Sequence, residues 1–237
     1  MAQLVTINNK THLKLTVDQS KVERHGAALH LVPAVMSEFT NMAVQYPLVM
    51  TKHQETGQFV FAAMLGFTAG ENLFWRDEQW QGLYIPLQIR RQPFFISCDE
   101  SDNTKYEISF DSESPAISSK NGQPLFNENG SETDFFQQAK ACLSELISGE
   151  IANKYLAEKL VSMNLLQVMT MEVTFANKTS SVVKGLYTID TEKLAALSTE
   201  QIASLHQDGL LQAIYTLITS LGQMHHLIDL KNKQLGC

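Results

Sequence analysis

The sequence predicts an α+β protein whose mixed or antiparallel sheet is built from hairpins, with several helices and a long helix at the C-terminus. Three observations predict this class. Two pairs of strand-like segments are each joined by a polar turn, helical periodicity begins at residue 131, and strand-like alternation resumes at Met169. Because strands return inside the helical half, we expect a single domain spanning residues 1–237.

The N-terminal part predicts one strand and one helix. Leu13, Leu15 and Val17 alternate with polar residues, as is typical of a half-buried strand. Over residues 33–45 the apolar side chains recur on one helical face. Pro47 is expected to end this helix, because a proline restricts the residue before it to extended conformations.

The first predicted hairpin pairs residues 48–51 with residues 58–65. The polar connection between them contains Gly57, which can adopt the left-handed conformation that such turns require. Three further strands are predicted at residues 94–98, 106–110 and 116–118.

Residues 131–189 predict two helices followed by a second hairpin. The run Ser131-Glu-Thr-Asp134 resembles a capping box, and Gly149 is expected to end the helix that it starts. A second helix is expected over residues 151–165, and strands over 169–175 and 182–189 form the hairpin.

The C-terminal region predicts a short helix that begins with the capping box at Ser198, then a break at Gly209 and a long helix. The long helix carries apolar residues at alternating spacings of four and three. This pattern leaves two interpretations open: a homodimer formed through the helix, or simple packing against the core.

Composition and charge exclude several classes of function. The segment 99–134 holds nine acidic residues and two lysines, which accounts for the net charge of −7. The sequence has no basic stripe that could bind nucleic acid, so a nucleic-acid partner is not expected. No apolar run reaches the roughly 20 residues that span a bilayer. The N-terminus lacks a signal-peptide pattern, and three scattered cysteines form no framework, so we expect a cytoplasmic protein. No motif predicts a cofactor.

Half of the aromatic residues, 10 of 20, lie between Tyr46 and Phe95, together with three of the four arginines. Within this segment we predict a recognition surface for a protein partner or a small anionic or planar ligand, because guanidinium groups and aromatic rings bind such groups. Its members are Asn72, Trp80, Tyr84, Arg90 and Arg91. If residues 85–91 are extended, the two arginines point to opposite faces. The alternative is an arginine that binds backbone carbonyls or an acidic residue at a sheet edge.

A metal site is the main enzymatic hypothesis. His53 and Glu55 have the H-x-E spacing of two ligands in a non-haem iron site, and both lie in the predicted hairpin turn. A third ligand would have to come from His206, His225 or His226. A polar turn of this length also contains His and Glu by chance.

Segments along nearly the whole chain resemble, in order, those of the bacterial SapC-like family. They are Tyr46-Pro47-Leu-Val-Met, Ala63-Met-Leu-Gly66, Glu71-Asn72-Leu-Phe74, Trp80-x3-Tyr84-x-Pro86-x2-Ile89-Arg90-Arg91-x-Pro93-Phe94, Gly122-x-Pro124-Leu125-Phe126, Gly185-Leu-Tyr187-Thr-Ile-Asp190-x3-Leu194 and Gly209-Leu-Leu-x-x-Ile-Tyr215. The family takes its name from a surface-array gene cluster, and its members tend to be encoded beside TonB-dependent receptors and tryptophan-halogenase-like proteins. The resemblance implies a link to envelope or nutrient-uptake systems and carries over no catalytic residue.

Three functions follow as hypotheses. The leading one is a non-enzymatic accessory or binding protein with the aromatic and arginine segment as its recognition surface. The alternative is a metal-dependent enzyme that acts on a small molecule through His53 and Glu55. The third is a structural protein of a surface layer, although the absence of an export signal in the sequence disfavours it.

Overall fold

A computed structural model describes residues 3–98, 106–118 and 122–237 of the chain, so parts of the acidic segment lie outside the described residues. The strands of the described part are β1 (Leu4–Thr6), β2 (Thr16–Val17), β3 (Leu31–Pro33), β4 (Leu48–Lys52), β5 (Phe59–Met64), β6 (Trp75–Arg76), β7 (Gln79–Trp80), β8 (Phe94–Cys98), β9 (Tyr106–Asp111), β10 (Ile117–Ser118), β11 (Gln123–Pro124), β12 (Leu166–Thr174) and β13 (Ser180–Ile189). The helices are α1 (Phe39–Met42), α2 (Leu87–Arg90), α3 (Asp134–Ser162), α4 (Thr191–Ala195), α5 (Thr199–Gln207), α6 (Leu211–Ser220) and α7 (Met224–Gln234). Every described strand pair is antiparallel, which confirms the predicted α+β class.

The chain forms two compact units, each made from two separate segments. The first unit comprises residues 1–26 and 87–147, and the second comprises residues 27–86 and 148–237. Helix α3 begins in the first unit, and its residues from Ser148 onward belong to the second. The expectation of one domain over residues 1–237 stays a prediction.

The first unit contains two small sheets, with strand orders β1-β9-β8 and β10-β2-β11. Aromatic and aliphatic side chains from these strands and from α3 form its core, in which Val17, Phe94 and Phe136 are buried. The predicted strands at 94–98 and 106–110 are confirmed as β8 and β9. The strand predicted around Leu13 is mostly a turn, because the Leu15 N–H bonds to the His12 carbonyl at 3.0 Å and only β2 remains extended.

The second unit is organised on a five-stranded sheet in the order β12-β13-β4-β5-β3. Both predicted hairpins are present in it, as β4–β5 and β12–β13. Gly57 has φ +68° in the first hairpin turn, as predicted. Strand β3 pairs only with Ala62–Met64 at the far end of β5, so the beginning of β5 extends beyond it.

Two helix predictions are wrong in extent. The helix expected over 33–45 is limited to a 3₁₀ turn at Met36–Glu38 and to α1, because Pro33 belongs to β3 and the buried Glu38 carboxylate accepts the Val35 N–H. The expected stop at Gly149 does not occur, and α3 runs through this position as one helix of 29 residues. Helix α3 starts after Thr133, whose hydroxyl accepts the Phe136 N–H at 3.2 Å, and not at Ser131.

The predicted C-terminal helix is present as α6, a 3₁₀ turn at Leu221–Gln223 and α7. The capping box at Ser198 is confirmed, and Gly209 has φ +71° at the predicted break. In α6, Ile214 and Leu217 are buried, and the Ser220 hydroxyl accepts the Leu48 N–H of β4 at 2.9 Å. Core packing thus occupies the apolar face of α6, and the homodimer stays a prediction. None of the described helices combines the length and apolar content needed to cross a membrane.

Candidate functional site

Two aromatic residues from the predicted surface are joined in a buried hydrogen-bond network of the second unit, which we call the Trp80 network. The Trp80 indole N–H donates to the Tyr46 hydroxyl at 2.9 Å, and that hydroxyl donates to the Tyr84 carbonyl at 2.6 Å. The Gln45 amide donates to the same carbonyl at 3.3 Å and accepts the Leu83 N–H at 2.7 Å. The network therefore fixes the loop that follows β7 to the residues that precede β4.

Burial decides what the Trp80 network can do. Trp80 is only 8% exposed and Tyr46 is fully buried, with its ring 4.7 Å from that of Phe74. Burial raises the pKa of the Tyr46 phenol well above its ordinary value, so the hydroxyl remains a neutral donor. Gly82 lies against the network, because a Cβ there would be 2.2 Å from the Tyr46 hydroxyl. The network acts as a rigid support, and Leu83, which is 88% exposed, lies on the loop that it supports.

The side chain of Tyr84 is also engaged within the second unit. Its hydroxyl donates to Glu38 Oε2 at 3.1 Å, and Glu38 Oε1 accepts the Val35 N–H at 3.1 Å. Asn72 is buried, and its side-chain oxygen accepts the Phe74 N–H at 2.8 Å, which closes a local turn. These two predicted site residues have structural partners in the protein.

The two arginines of the predicted surface belong to the first unit. Residues 87–90 form the one-turn helix α2, so the extended conformation considered for residues 85–91 is wrong for this part. Arg91 donates to Gln88 Oε1 and to the Phe94 carbonyl, both at 2.8 Å, and stacks 4.3 Å from the centre of the Phe95 ring. Burial lowers the pKa of Arg91 from its ordinary value. Arg90 is exposed.

The predicted metal ligands lie where the sequence placed them, in the turn between β4 and β5. His53 and Glu55 are both exposed, and His53 Nδ1 accepts the Thr56 N–H at 3.4 Å. Within residues 3–98, 106–118 and 122–237, no three His, Cys, Asp or Glu side chains are grouped so that they could hold a metal ion. The metal site stays a hypothesis.

An open groove in the second unit is a site that the sequence did not reveal. It has a volume of about 510 Å³ and runs between the start of β5 and the second half of α3. We call it the α3–β5 groove; it is lined by Gln58, Phe59, Val60, Glu150, Asn153, Lys154, Ala157, Glu158, Val161 and Ser162. The residues from α3 recur at intervals of three and four, but this spacing alone is shared by every amphipathic helix.

The α3–β5 groove combines apolar walls with charged groups. Val161 is 51% exposed, and the Phe59 ring packs edge-on against Tyr187 at 5.0 Å between ring centres. Partial desolvation raises the pKa of the Glu150 carboxyl group, although this residue remains accessible to solvent. Such a surface can bury an apolar side chain and orient a charged one.

A histidine–serine pair in the first unit was also missed from the sequence. His25 Nε2 lies 3.1 Å from Ser114 Oγ, although 89 positions separate the two residues. The Ser114 hydroxyl is buried and also accepts the Ala116 N–H at 3.2 Å, as in a local turn. Burial lowers the pKa of His25. This pair supports the fold of the turn that follows β9.

The fold and these surfaces define an α+β protein with a rigid aromatic support and an open groove in its second unit. Residues 7–227 of the 237-residue chain match the family model SapC, so the chain belongs to the SapC family. The match confirms the resemblance noted in the sequence. No curated protein and no solved structure matches the chain.

Proposed function

We propose that this SapC-family protein is an accessory protein that binds a partner through the α3–β5 groove. The observation that carries the proposal is the groove itself, an open cleft of about 510 Å³ that combines apolar walls with charged groups. Its apolar wall is available for contact, because Val161 is half-exposed. The proposed partner is therefore a protein segment that brings apolar side chains to this wall.

The family supports the setting of this function. The resemblance of the chain to SapC-like proteins implies a link to envelope or nutrient-uptake systems. We propose that the partner belongs to such a system. An accessory role agrees with a site made of a helix and a strand end, since exposed strand edges and apolar grooves are recurring sites of peptide recognition.

The test compares two tryptophan substitutions on the same helix. Val161→Trp fills the groove, whereas Ile151→Trp changes a residue that is 69% exposed and does not line it. Each variant and the wild type are used to capture partners from a lysate of the organism that encodes the protein, and bound proteins are quantified by mass spectrometry. Circular dichroism verifies that both variants fold.

We expect Val161→Trp to lose the partners that the wild type and Ile151→Trp retain. If Val161→Trp captures the same proteins in the same amounts as the wild type, the groove is not the binding site and the proposal is wrong. Native mass spectrometry of the protein purified without chelator accompanies this experiment. A bound metal or small molecule would favour the enzymatic hypothesis instead.

A further inference from the structure

The start of β5 has an open hydrogen-bonding edge that faces the groove. The His53 N–H donates to the Gln58 carbonyl at 2.8 Å, and Lys52 lies opposite Phe59 in the register of β4 and β5. Because hydrogen-bonded and non-hydrogen-bonded pairs alternate in an antiparallel ladder, the N–H and C=O of Phe59 point away from β4. Phe61, two residues later, shows this direction directly, since its carbonyl accepts the Ala34 N–H at 2.9 Å.

No strand of the described part of the chain continues this pairing at Phe59. Strand β3 ends at Pro33, opposite Ala62, and α3 lies across the groove from the uncovered part of β5. Phe59 and Val60 both line the groove, although successive side chains of a strand point to opposite faces. The groove therefore runs along the edge of the sheet, where an added strand would lie.

The rim of the groove carries an ordered row of charges. Glu150, Lys154 and Glu158 are exposed and are spaced four residues apart, so they form one line along α3. The ion pairs found among the described residues involve none of the three. Asn153, Ala157 and Val161 form the parallel row inside the groove. The protein thus presents the charge order negative, positive, negative beside an apolar wall.

Building on the proposed function, we propose that the α3–β5 groove binds an extended peptide segment of the partner protein, with the residue order basic, apolar, acidic, apolar, basic. The open edge at Phe59 selects an extended backbone, since only such a chain can exchange main-chain hydrogen bonds with it. The charge row sets the pattern. Eight residues of helix from Glu150 to Glu158 span about 12 Å, and four residues of extended chain span about 13 Å.

The two spacings place the charges of the peptide opposite those of the protein. Basic residues at the first and fifth positions of the peptide lie beside Glu150 and Glu158, and an acidic residue at the third position lies beside Lys154. Because side chains alternate along a strand, the apolar second and fourth residues of the peptide point to the opposite side, toward the apolar wall of the groove. Like charges at the same positions would repel, so the groove discriminates against the reversed order.

The probes are three synthetic peptides, and binding is followed by NMR titration of the full-length protein. The first is acetyl-Lys-Val-Glu-Val-Lys-amide, the second is the charge-reversed acetyl-Glu-Val-Lys-Val-Glu-amide, and the third is the first peptide with its three inner amides N-methylated. We expect the first peptide to bind about tenfold more tightly than the second. We expect the third to lose binding, because its inner residues can no longer donate hydrogen bonds to the Phe59 carbonyl.

A charge-swapped protein provides the matched control. The triple variant Glu150→Lys, Lys154→Glu and Glu158→Lys alters only exposed residues, and we expect it to prefer the second peptide over the first. Equal binding of the first two peptides to the wild type, or undiminished binding of the N-methylated peptide, would overturn the inference. If no peptide binds but Val161→Trp still loses the cellular partner, this inference fails while the proposed function stands.

Discussion

The indole N–H of Trp80 donates to the hydroxyl of Tyr46 at 2.9 Å, across 34 positions of the chain. The same hydroxyl donates a hydrogen bond to the Tyr84 carbonyl, and the Leu83 N–H donates to the Gln45 side chain. These bonds hold the loop that carries Leu83 against the core of the second unit. A tryptophan that the sequence offers as a binding surface is thus bound mainly by the protein itself. Its contribution to recognition would be the positioning of the exposed Leu83.

Removing the Tyr46 hydroxyl should destabilise the second unit. In Tyr46→Phe, the Trp80 N–H loses this acceptor and the Tyr84 carbonyl loses its shortest donor in the network. Losing a partner of a buried polar group costs about 1–3 kcal/mol, so we expect the free energy of unfolding to fall by about that amount. Urea denaturation followed by tryptophan fluorescence measures the change.

The coupling between Tyr46 and Trp80 can be measured with Trp80→Phe and with the double variant Tyr46→Phe, Trp80→Phe. Because both single changes break the same hydrogen bond, the double variant should lose less stability than the sum of the two. Strict additivity would show that the bond between Trp80 and Tyr46 contributes nothing in solution.

Replacing Gly82 by alanine should destabilise the protein. A Cβ at this position would lie 2.2 Å from the Tyr46 hydroxyl and 2.6 Å from the Gln45 amide nitrogen. Overpacking of this kind costs about 1–3 kcal/mol, and we expect Gly82→Ala to lower the melting temperature measured by differential scanning calorimetry.

Gly222→Ala is the control for Gly82→Ala. Nothing lies within 4 Å of a Cβ at Gly222, and its backbone does not require glycine. The control should keep the wild-type melting temperature or exceed it slightly, since alanine has fewer unfolded conformations to lose. Equal effects of the two substitutions would contradict the packing described around Gly82.

Local signals allowed much of the fold to be predicted. The β4–β5 hairpin follows from its alternating residues and Gly57, and α5 begins at the Ser198 capping box, whose two reciprocal hydrogen bonds form at 2.9 and 3.3 Å. The continuation of α3 through Gly149 could not be predicted in this way. Glycine normally ends a helix, but here the missing side chain makes room for Val35, a contact between residues far apart in sequence.

Gly149→Ala should therefore reverse the usual effect of this substitution. In a helix interior, alanine is about 1 kcal/mol more favourable than glycine. At this position its Cβ would lie 2.5 Å from Val35 Cβ, so we expect a net destabilisation in chemical denaturation. The double variant Gly149→Ala, Val35→Gly removes all the Val35 side-chain atoms that the new Cβ would meet, so it should lose less stability than the sum of the two single variants. Strictly additive losses would place the cause elsewhere in α3.

The candidate site was harder to predict than the fold, for a similar reason. Trp80 and Arg90 are close in sequence, which suggested a shared surface; Trp80 belongs to the second compact unit and Arg90 to the first, and their shared surface stays a prediction. The partner of the Tyr84 hydroxyl is Glu38, 46 positions away, and the partner of His25 is Ser114. Such contacts depend on the sheet topology, so residue types and spacing along the chain do not reveal them.

His25 should make the stability of the protein depend on pH. Burial lowers its pKa below the ordinary value of 6.5, so the unfolded chain takes up a proton at a higher pH than the native protein does. Between these two pKa values the unfolded state binds more protons, and stability therefore rises with pH and is fully present above about pH 6.5. We expect the melting temperature to fall as the pH decreases below this value.

The contribution of His25 is isolated by His25→Gln, which keeps a polar side chain but does not titrate. Melting temperatures of the wild type and the variant are compared from pH 5 to pH 7.5 at constant ionic strength. The decline towards acid pH should be shallower in His25→Gln. Parallel curves for the two proteins would show that other groups cause the pH dependence.

Substitutions of Arg90 and Arg91 can distinguish a role in stability from a role in recognition. Arg91 makes two hydrogen bonds of 2.8 Å and stacks on Phe95, so Arg91→Ala should lower the free energy of unfolding by about 1–3 kcal/mol. Arg90 is exposed, and Arg90→Ala should change stability by less than about 0.5 kcal/mol. If the surface predicted around Arg90 recognises an anionic group, Arg90→Ala will lose partner capture while it keeps the wild-type melting temperature. Unchanged capture by this stable variant would remove Arg90 from the recognition surface and leave the α3–β5 groove as the remaining site.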